Sequence, residues 1–256
     1  MFALPESFAA PKSWLDTALS FFYPNVCQYC SDEAATKQDG FIGPNCRAQL
    51  KLIQRPFCEK CGLPYGGAIT TQFQCSNCSE LDLHFSKARS AALADPMLLE
   101  IIHRYKYNRS LWFEPFLAGL LIDAAGPTLL SEQWDLIVPV PLYSLKRTER
   151  EFNQAERLAR RLSDATRISL ECRLLRRVQP TRTQTRLSRR ERIENVRKAF
   201  ALFPGKRLNG QRIVLVDDVL TTGATTSACA KVLLDGGAAD VSVWTVARGG
   251  FNSSSV

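Results

Sequence analysis

One stretch constrains the fold more than any other. Residues 213–225 read IVLVDDVLTTGAT. Four apolar residues, Ile213 to Val216, run into two acids, Asp217 and Asp218, and a short turn then leads into a further apolar segment. An unbroken apolar run of this kind fits a strand buried on both faces, as in a parallel sheet covered by helices. At the carboxyl end of such a strand, the turn Thr221-Thr222-Gly223-Ala224-Thr225 aims backbone N–H groups outward, and the helix behind it adds partial positive charge. Gly223 permits close approach of the backbone to a phosphate, and Thr221, Thr222 and Thr225 supply hydroxyl donors. The two carboxylates can accept from vicinal sugar hydroxyls and help place Mg²⁺. The layout suits a ribose 5-phosphate. Two other readings stand beside it. One is a Walker B strand, although no G-x-x-x-x-G-K-[ST] motif occurs in the chain; the other is a plain buried strand with a polar turn.

Around this stretch the pattern alternates. Ala88–Leu93, Leu136–Val140, Leu170–Leu175, Ala199–Phe203 and Val241–Val246 read as strands. Pro96–Tyr107, Leu111–Ala124, Asn153–Leu162 and Thr225–Leu234 have helical spacing, with Pro96 suited to a first turn and Gly236-Gly237 to a stop. The expected fold class is α/β, a parallel sheet with helices on both faces. Between Leu175 and Ala199 lies an Arg-rich tract that includes Arg176, Arg177, Arg182, Arg186, Arg189, Arg190, Arg192 and Arg197, too polar to be core. It can close over a pyrophosphate, neutralise a nucleic-acid backbone, or simply form a solvated charged face.

The N-terminal third differs. Seven of the nine cysteines precede residue 79. Cys58, Cys61, Cys75 and Cys78 form C-x2-C-x13-C-x2-C, the spacing of one tetrahedral thiolate zinc site. Cys27, Cys30 and Cys46 provide three thiolates of a second, weaker site; either Asp32, Asp39, His84 or water completes it, or it is a degenerate site without metal. Both sites read as structural, because a segment so poor in periodic apolar residues needs metal to stabilise its fold. Cys172 and Cys229 read as small buried residues. The start of the chain has no basic, apolar signal pattern, and paired C-x2-C knuckles suit a reducing cytoplasm. No run of about 18 apolar residues occurs, so no membrane span is expected. The net charge of +8 favours anionic partners. The boundaries follow: 1–26 an amphipathic segment, 27–85 the cysteine-rich zinc module, 86–248 the α/β domain, 249–256 a disordered tail.

These residues together resemble the ComF family of phosphoribosyltransferase-like proteins, linked to competence and DNA uptake. Residues 213–225 look like the phosphoribosyl-binding signature of type I phosphoribosyltransferases. Val138-Pro139-Val140-Pro141-Leu142 with Phe152-Asn153-Gln154 looks like the family's strand, pyrophosphate loop and helix start. Thr181, Gln184, Leu187, Arg192 and Asn195 fall at the spacing of its flexible loop, and Lys106-Tyr107 and Ala247-Arg248 also fit. Two departures stand out. Glu151 replaces the family's usual glycine, and Gly43-Pro44-Asn45-Cys46 breaks its second C-x2-C.

The resemblance implies a type I phosphoribosyltransferase-like domain that binds phosphoribosyl pyrophosphate with Mg²⁺, as an enzyme or as the relic of one. Asp217 and Asp218 would hold the ribose hydroxyls, Thr221, Thr222, Gly223, Ala224 and Thr225 the 5-phosphate, and Leu142, Tyr143 and Arg147 the pyrophosphate, while Gln184 and Arg192 come from the mobile loop. Some purine-salvage relatives place an acid where this chain has Thr221, so their base chemistry is not expected here. The alternative is a non-catalytic single-stranded DNA-binding accessory protein that uses the Arg-rich loop and zinc module alongside other competence or recombination proteins.

Overall fold

The computed structural model describes residues 25–66, 75–142, 152–179 and 199–250. Its centre is a five-stranded sheet in the order β1-β7-β6-β2-β3, built from β1 (Lys87–Leu93), β2 (Leu136–Pro139), β3 (Ser169–Leu170), β6 (Arg212–Leu220) and β7 (Asp240–Arg248). Every pairing in it is parallel. The alternation of side chains along β6 serves both faces. Val214 and Val216 enter one core with Ile101, Phe116, Leu121 and Leu158, whereas Ile213 and Leu215 enter the other with Val243, Cys229 and Leu233. This is the two-faced burial that an unbroken apolar run predicts.

The first face carries α3 (Pro96–Tyr107), α4 (Glu114–Ser131) and α5 (Gln154–Thr166); the second carries α6 (Ala224–Asp235). Each helix starts where its sequence provides a start. Asp95 accepts from the Leu98 amide at 2.8 Å and Pro96 occupies the first turn of α3. Asn153 accepts from the Ala155 amide at 3.1 Å and donates to the Val140 carbonyl at 3.1 Å, tying the start of α5 to the end of β2.

Several elements differ from expectation. The helix expected over Leu111–Ala124 begins as a 3₁₀ turn at Leu111–Phe113 and runs to Ser131, through Pro127. Burial of Ala125, Gly126 and Leu129 carries it past a proline that costs a backbone hydrogen bond. Leu111–Ser131 is long and apolar enough to cross a membrane by length and composition, but here it is a core helix packed on α5, β1 and β7. The strand expected over Leu170–Leu175 is two strands. Glu171 accepts from the Arg173 amide and turns the chain, so β3 joins the main sheet while β4 (Leu175–Arg177) pairs antiparallel with β5 (Phe200–Leu202) in a separate ribbon. The strand expected over Ala199–Phe203 therefore lies outside the parallel sheet. That ribbon brackets residues 180–198, most of the Arg-rich tract, which lie outside the described residues.

The cysteine-rich segment, which also includes α1 (Pro44–Ala48) and α2 (Ser76–Glu80), does not stand apart. Residues 51–60 run along the free edge of β1: Ile53 donates to the Ala91 carbonyl at 3.0 Å, Leu93 to Lys51 at 2.8 Å and Ala88 to Lys60 at 2.8 Å. This covers an exposed sheet edge. The segment also buries more than its sparse periodicity suggested, because Cys27, Ile42, Cys46 and Leu50 join the core beneath α3 and α4.

Candidate functional site

β2 leads through α5 toward β3 on one side, and β6 leads through α6 toward β7 on the other, so the sheet reverses its winding between β2 and β6. Ligand sites of open parallel sheets form at the carboxyl ends of strands at such a reversal. Here the ends of β6 and β2 lie side by side, with Val140 donating to the Val216 carbonyl at 2.9 Å. Gly223 caps α6 with φ +86°, a conformation that favours glycine, and a Cβ there would already touch Leu83 and Phe85 at 3.4 and 3.5 Å. No side chain at this N-cap satisfies the first turn of α6. Thr222 Oγ1 accepts from the Ala224 amide at 3.3 Å, and Thr221 is exposed while Thr222, Ala224 and Thr225 are half-buried. The corner therefore presents helix-start amides and hydroxyls at the strand tips, a setting that accommodates an anion.

The acids are not in the turn. β6 continues unbroken through both, with Asp217 opposite Thr245 and Leu220 opposite Arg248. Adjacent residues of a strand face opposite ways. Asp218 points to the α3 face, where Lys106 Nζ donates to its Oδ1 at 2.7 Å. Asp217 points to the α6 face, where burial, followed by the neighbouring Asp218 charge, pushes its carboxyl up to about 7; Lys106, the Asp218 amide and Arg177 offset this only in part. The Asp218 amide donates to Asp217 Oδ1 at 2.9 Å. The pair thus straddles the strand, where the linear motif suggested two carboxylates side by side. Around them, Phe152 packs on Tyr105 with ring centroids 5.6 Å apart, and Gln154 Nε2 donates to the Lys106 carbonyl at 3.4 Å. Phe152-Asn153-Gln154 thereby fixes the helix start beside α3. Leu142 is half-buried just beyond β2. Tyr143, Arg147, Gln184 and Arg192 lie outside the described residues.

Two side chains that the sequence did not single out for this task support the loop from beneath. Arg248, only 1 % exposed, donates through Nη1 to the carbonyls of Leu220 (3.1 Å), Thr221 and Gly249, and through Nε to the Cys61 carbonyl at 3.2 Å. Its Nη2 lies 3.7 Å from Cys61 Sγ. Asn77, between Cys75 and Cys78, donates to the Thr222 carbonyl at 3.2 Å. A charged residue at the end of an otherwise buried strand was the available signal for Arg248. For Asn77 there was none, because its partner is 145 residues away.

Cys58, Cys61, Cys75 and Cys78 converge, with all four Sγ atoms within 4.8 Å of one another. Cys58 and Cys78 are 3.7 Å apart and Cys61 and Cys75 3.4 Å. All nine cysteines are free thiols rather than disulfides. Four thiolates around tetrahedral zinc, each at about 2.3 Å, would stand about 3.8 Å apart, so the donor set fits zinc in number, chemistry and spacing. The second cluster contains Cys27, Cys30 and Cys46, as expected, and also Glu33. Cys27 and Cys46 Sγ are 3.7 Å apart, and Cys30 Sγ is 3.8 Å from Glu33 Oε1. The residues considered for the fourth place are engaged elsewhere or exposed. Asp39 accepts from the Thr36 hydroxyl at 2.6 Å, His84 lies beside Asp82 and donates its amide to Ser227, and Asp32 faces solvent. Cys229 is buried, whereas Cys172 is only half-buried.

Residues 18–79 match the double zinc ribbon domain. The chain is 32 % identical over 218 residues to competence protein F of Haemophilus influenzae, spanning 80 % of this chain and 95 % of that protein. It is 32 % identical over 229 residues to the DNA utilization protein YhgH of Salmonella typhimurium, spanning 88 % and 97 %. Among solved structures it is similar to adenine phosphoribosyltransferase from Leishmania tarentolae, at 16 % identity and a TM-score of 0.34, covering 60 % of this chain and 61 % of that one.

Proposed function

The chain belongs to the ComF family of competence-associated proteins, and from that premise we propose that it binds phosphoribosyl pyrophosphate with Mg²⁺ at the β6–α6 corner and acts in DNA uptake or utilisation. The observation that carries the binding reading is the start of α6 at Gly223, whose N-cap residue offers no side-chain acceptor, placed where the sheet reverses. Main-chain amides of 223–225, with the hydroxyls of Thr221, Thr222 and Thr225, suit a 5-phosphate. Asp217 and Asp218 suit sugar hydroxyls and are the carboxylates that would hold Mg²⁺; when bound, the ion would neutralise charge on the pyrophosphate.

Lys106 has a second role in this reading. Its ammonium neutralises Asp218 while the corner is empty of ligand, and it stands ready to pair with a pyrophosphate oxygen once Asp218 takes a sugar hydroxyl. In the same reading Leu142, Tyr143 and Arg147 are the residues that would serve the pyrophosphate, with Gln184 and Arg192 of the Arg-rich tract. If transfer occurs, departure of pyrophosphate leaves an oxocarbenium-like carbon, and the surrounding carboxylates stabilise it.

Calorimetry with phosphoribosyl pyrophosphate and Mg²⁺ tests the pocket. Wild type is expected to release heat, and Asp218→Asn to bind about tenfold more weakly or worse through loss of a charge-assisted contact. No heat with wild type would remove the reading. For the cellular role, a strain lacking the chain is expected to lose DNA uptake or growth on DNA, and Asp217→Asn with Asp218→Asn is expected not to restore it.

A further inference from the structure

Three of the cysteine knuckles in this chain are complete C-x2-C pairs: Cys27/Cys30, Cys58/Cys61 and Cys75/Cys78. The fourth is not, because Gly43 stands three residues before Cys46. The structure shows what fills that place. A Cβ built on Gly43 would lie 2.2 Å from Glu33 Cδ, 2.3 Å from its Cγ and 2.6 Å from Oε1. A side chain at position 43 and the Glu33 carboxylate cannot occupy this space together.

We propose that Glu33 is the fourth ligand of a Cys₃Glu zinc site with Cys27, Cys30 and Cys46, standing in the ligand position that Gly43 leaves open. The four donor groups lie within 4.8 Å of one another. The carboxylate is held in place by the start of α1: Oε2 accepts from the Asn45 amide at 2.8 Å and Oε1 from the Cys46 amide at 2.9 Å. Each carboxylate oxygen has a further lone pair for a metal, and amide contacts of this kind orient a ligating carboxylate. Zinc accepts oxygen beside sulfur at ordinary tetrahedral sites. Three thiolates and a carboxylate carry the same formal charge as four thiolates, so the electrostatic requirement is met while one soft donor is exchanged for a harder one. Zinc is consequently held less firmly here than by Cys58, Cys61, Cys75 and Cys78. The proposal does not depend on the phosphoribosyl reading, because metal content is measured without any sugar ligand.

The test uses the full chain purified with zinc. Wild type is expected to contain two equivalents and to release them to a chelator in two phases, the first about tenfold faster or more. Glu33→Ala is expected to hold one equivalent. Glu33→Gln keeps an acceptor for the Asn45 and Cys46 amides but offers a poor ligand, which separates capping from ligation; it too is expected to lose the faster equivalent. Glu33→Ala combined with Gly43→Cys, which fits only once the carboxylate is gone, is expected to regain two equivalents and to slow the first phase. With Co²⁺ in place of zinc, the double variant is expected to gain thiolate-to-metal charge-transfer absorbance over wild type. The proposal is overturned by wild type holding a single equivalent, by either single variant retaining two with unchanged release, or by the double variant failing to regain the second.

Discussion

The two cysteine clusters lie on opposite faces of one sheet and support different things. The four-cysteine cluster belongs to the α6 face, and Arg248 and Asn77 connect it directly to the carbonyls of Leu220, Thr221 and Thr222. The Cys27/Cys30/Glu33/Cys46 cluster belongs to the α3–α4 face. There Arg104 donates to the Gln28 carbonyl at 2.7 Å, Arg47 lies over Phe116 at 5.3 Å, and Gly40 backs against the Phe116 main chain. One cluster thus underlies the β6–α6 corner, and the other anchors the module to helices away from it. Similar sequence patterns have become a support for the site in one place and a tether in the other.

The widest separation between the two is expected from removing a ligand of each. Cys75→Ser should lose one zinc equivalent, lower stability by more than about 4 kcal/mol and abolish heat with phosphoribosyl pyrophosphate and Mg²⁺. Cys46→Ser should lose the other equivalent yet leave ligand affinity within a few-fold. Metal analysis, thermal unfolding and calorimetry on both variants check this, and equal loss of ligand binding would break the distinction. Arg248→Ala comes next. It strands the buried carbonyl of Cys61 without its donor and leaves Leu220 only the Gly249 amide, at a cost of about 2 kcal/mol, and should weaken ligand binding while both zinc equivalents remain.

Single hydrogen bonds sharpen the contrast further. Asn77→Ala removes one contact to the Thr222 carbonyl and should cost about 1 kcal/mol, seen as roughly fivefold weaker ligand binding. Arg104→Ala removes a comparable contact to Gln28 on the other face and should cost similar stability with ligand binding unchanged.

A further contrast concerns pH. Asp217, on the four-cysteine face, has a folded-state pKa of about 7 against an ordinary value of 3.8, chiefly through burial. Its protonated form is favoured in the folded chain, so its contribution to stability is complete below about pH 4 and fades as pH rises through 7. Denaturant unfolding should show wild type losing stability relative to Asp217→Asn between about pH 4 and 7, whereas ligand affinity should rise as pH passes through 7 and the carboxylate ionises. A flat difference between the two proteins would mean that Asp217 is not held protonated.

Much of this was legible in the linear chain. α3 spans Pro96–Tyr107 as expected because its start is written locally, in Asp95 and Pro96. The strand before the acids was evident from Ile213–Val216, but its continuation to Leu220 was not. Pairing with β7, not apolarity, keeps Asp217 and Asp218 extended, and that pairing sends them to opposite faces. Cys58, Cys61, Cys75 and Cys78 were identifiable as a set because their spacing is itself the signature. Glu33 was not, since Asp32 beside it and Asp39 offered the same chemistry.

The sequence alone determined the class of fold, the thiolate sets and the corner where strand gives way to helix, because these rest on periodicity, spacing and local backbone preference. Only the tertiary structure decided that Arg248 and Asn77 join the metal cluster to the loop, that Lys106 pairs with Asp218, and that Glu33 fills the space beside Gly43. These are contacts between residues distant in the chain or choices among chemically equivalent neighbours, and packing in three dimensions is what selects among them.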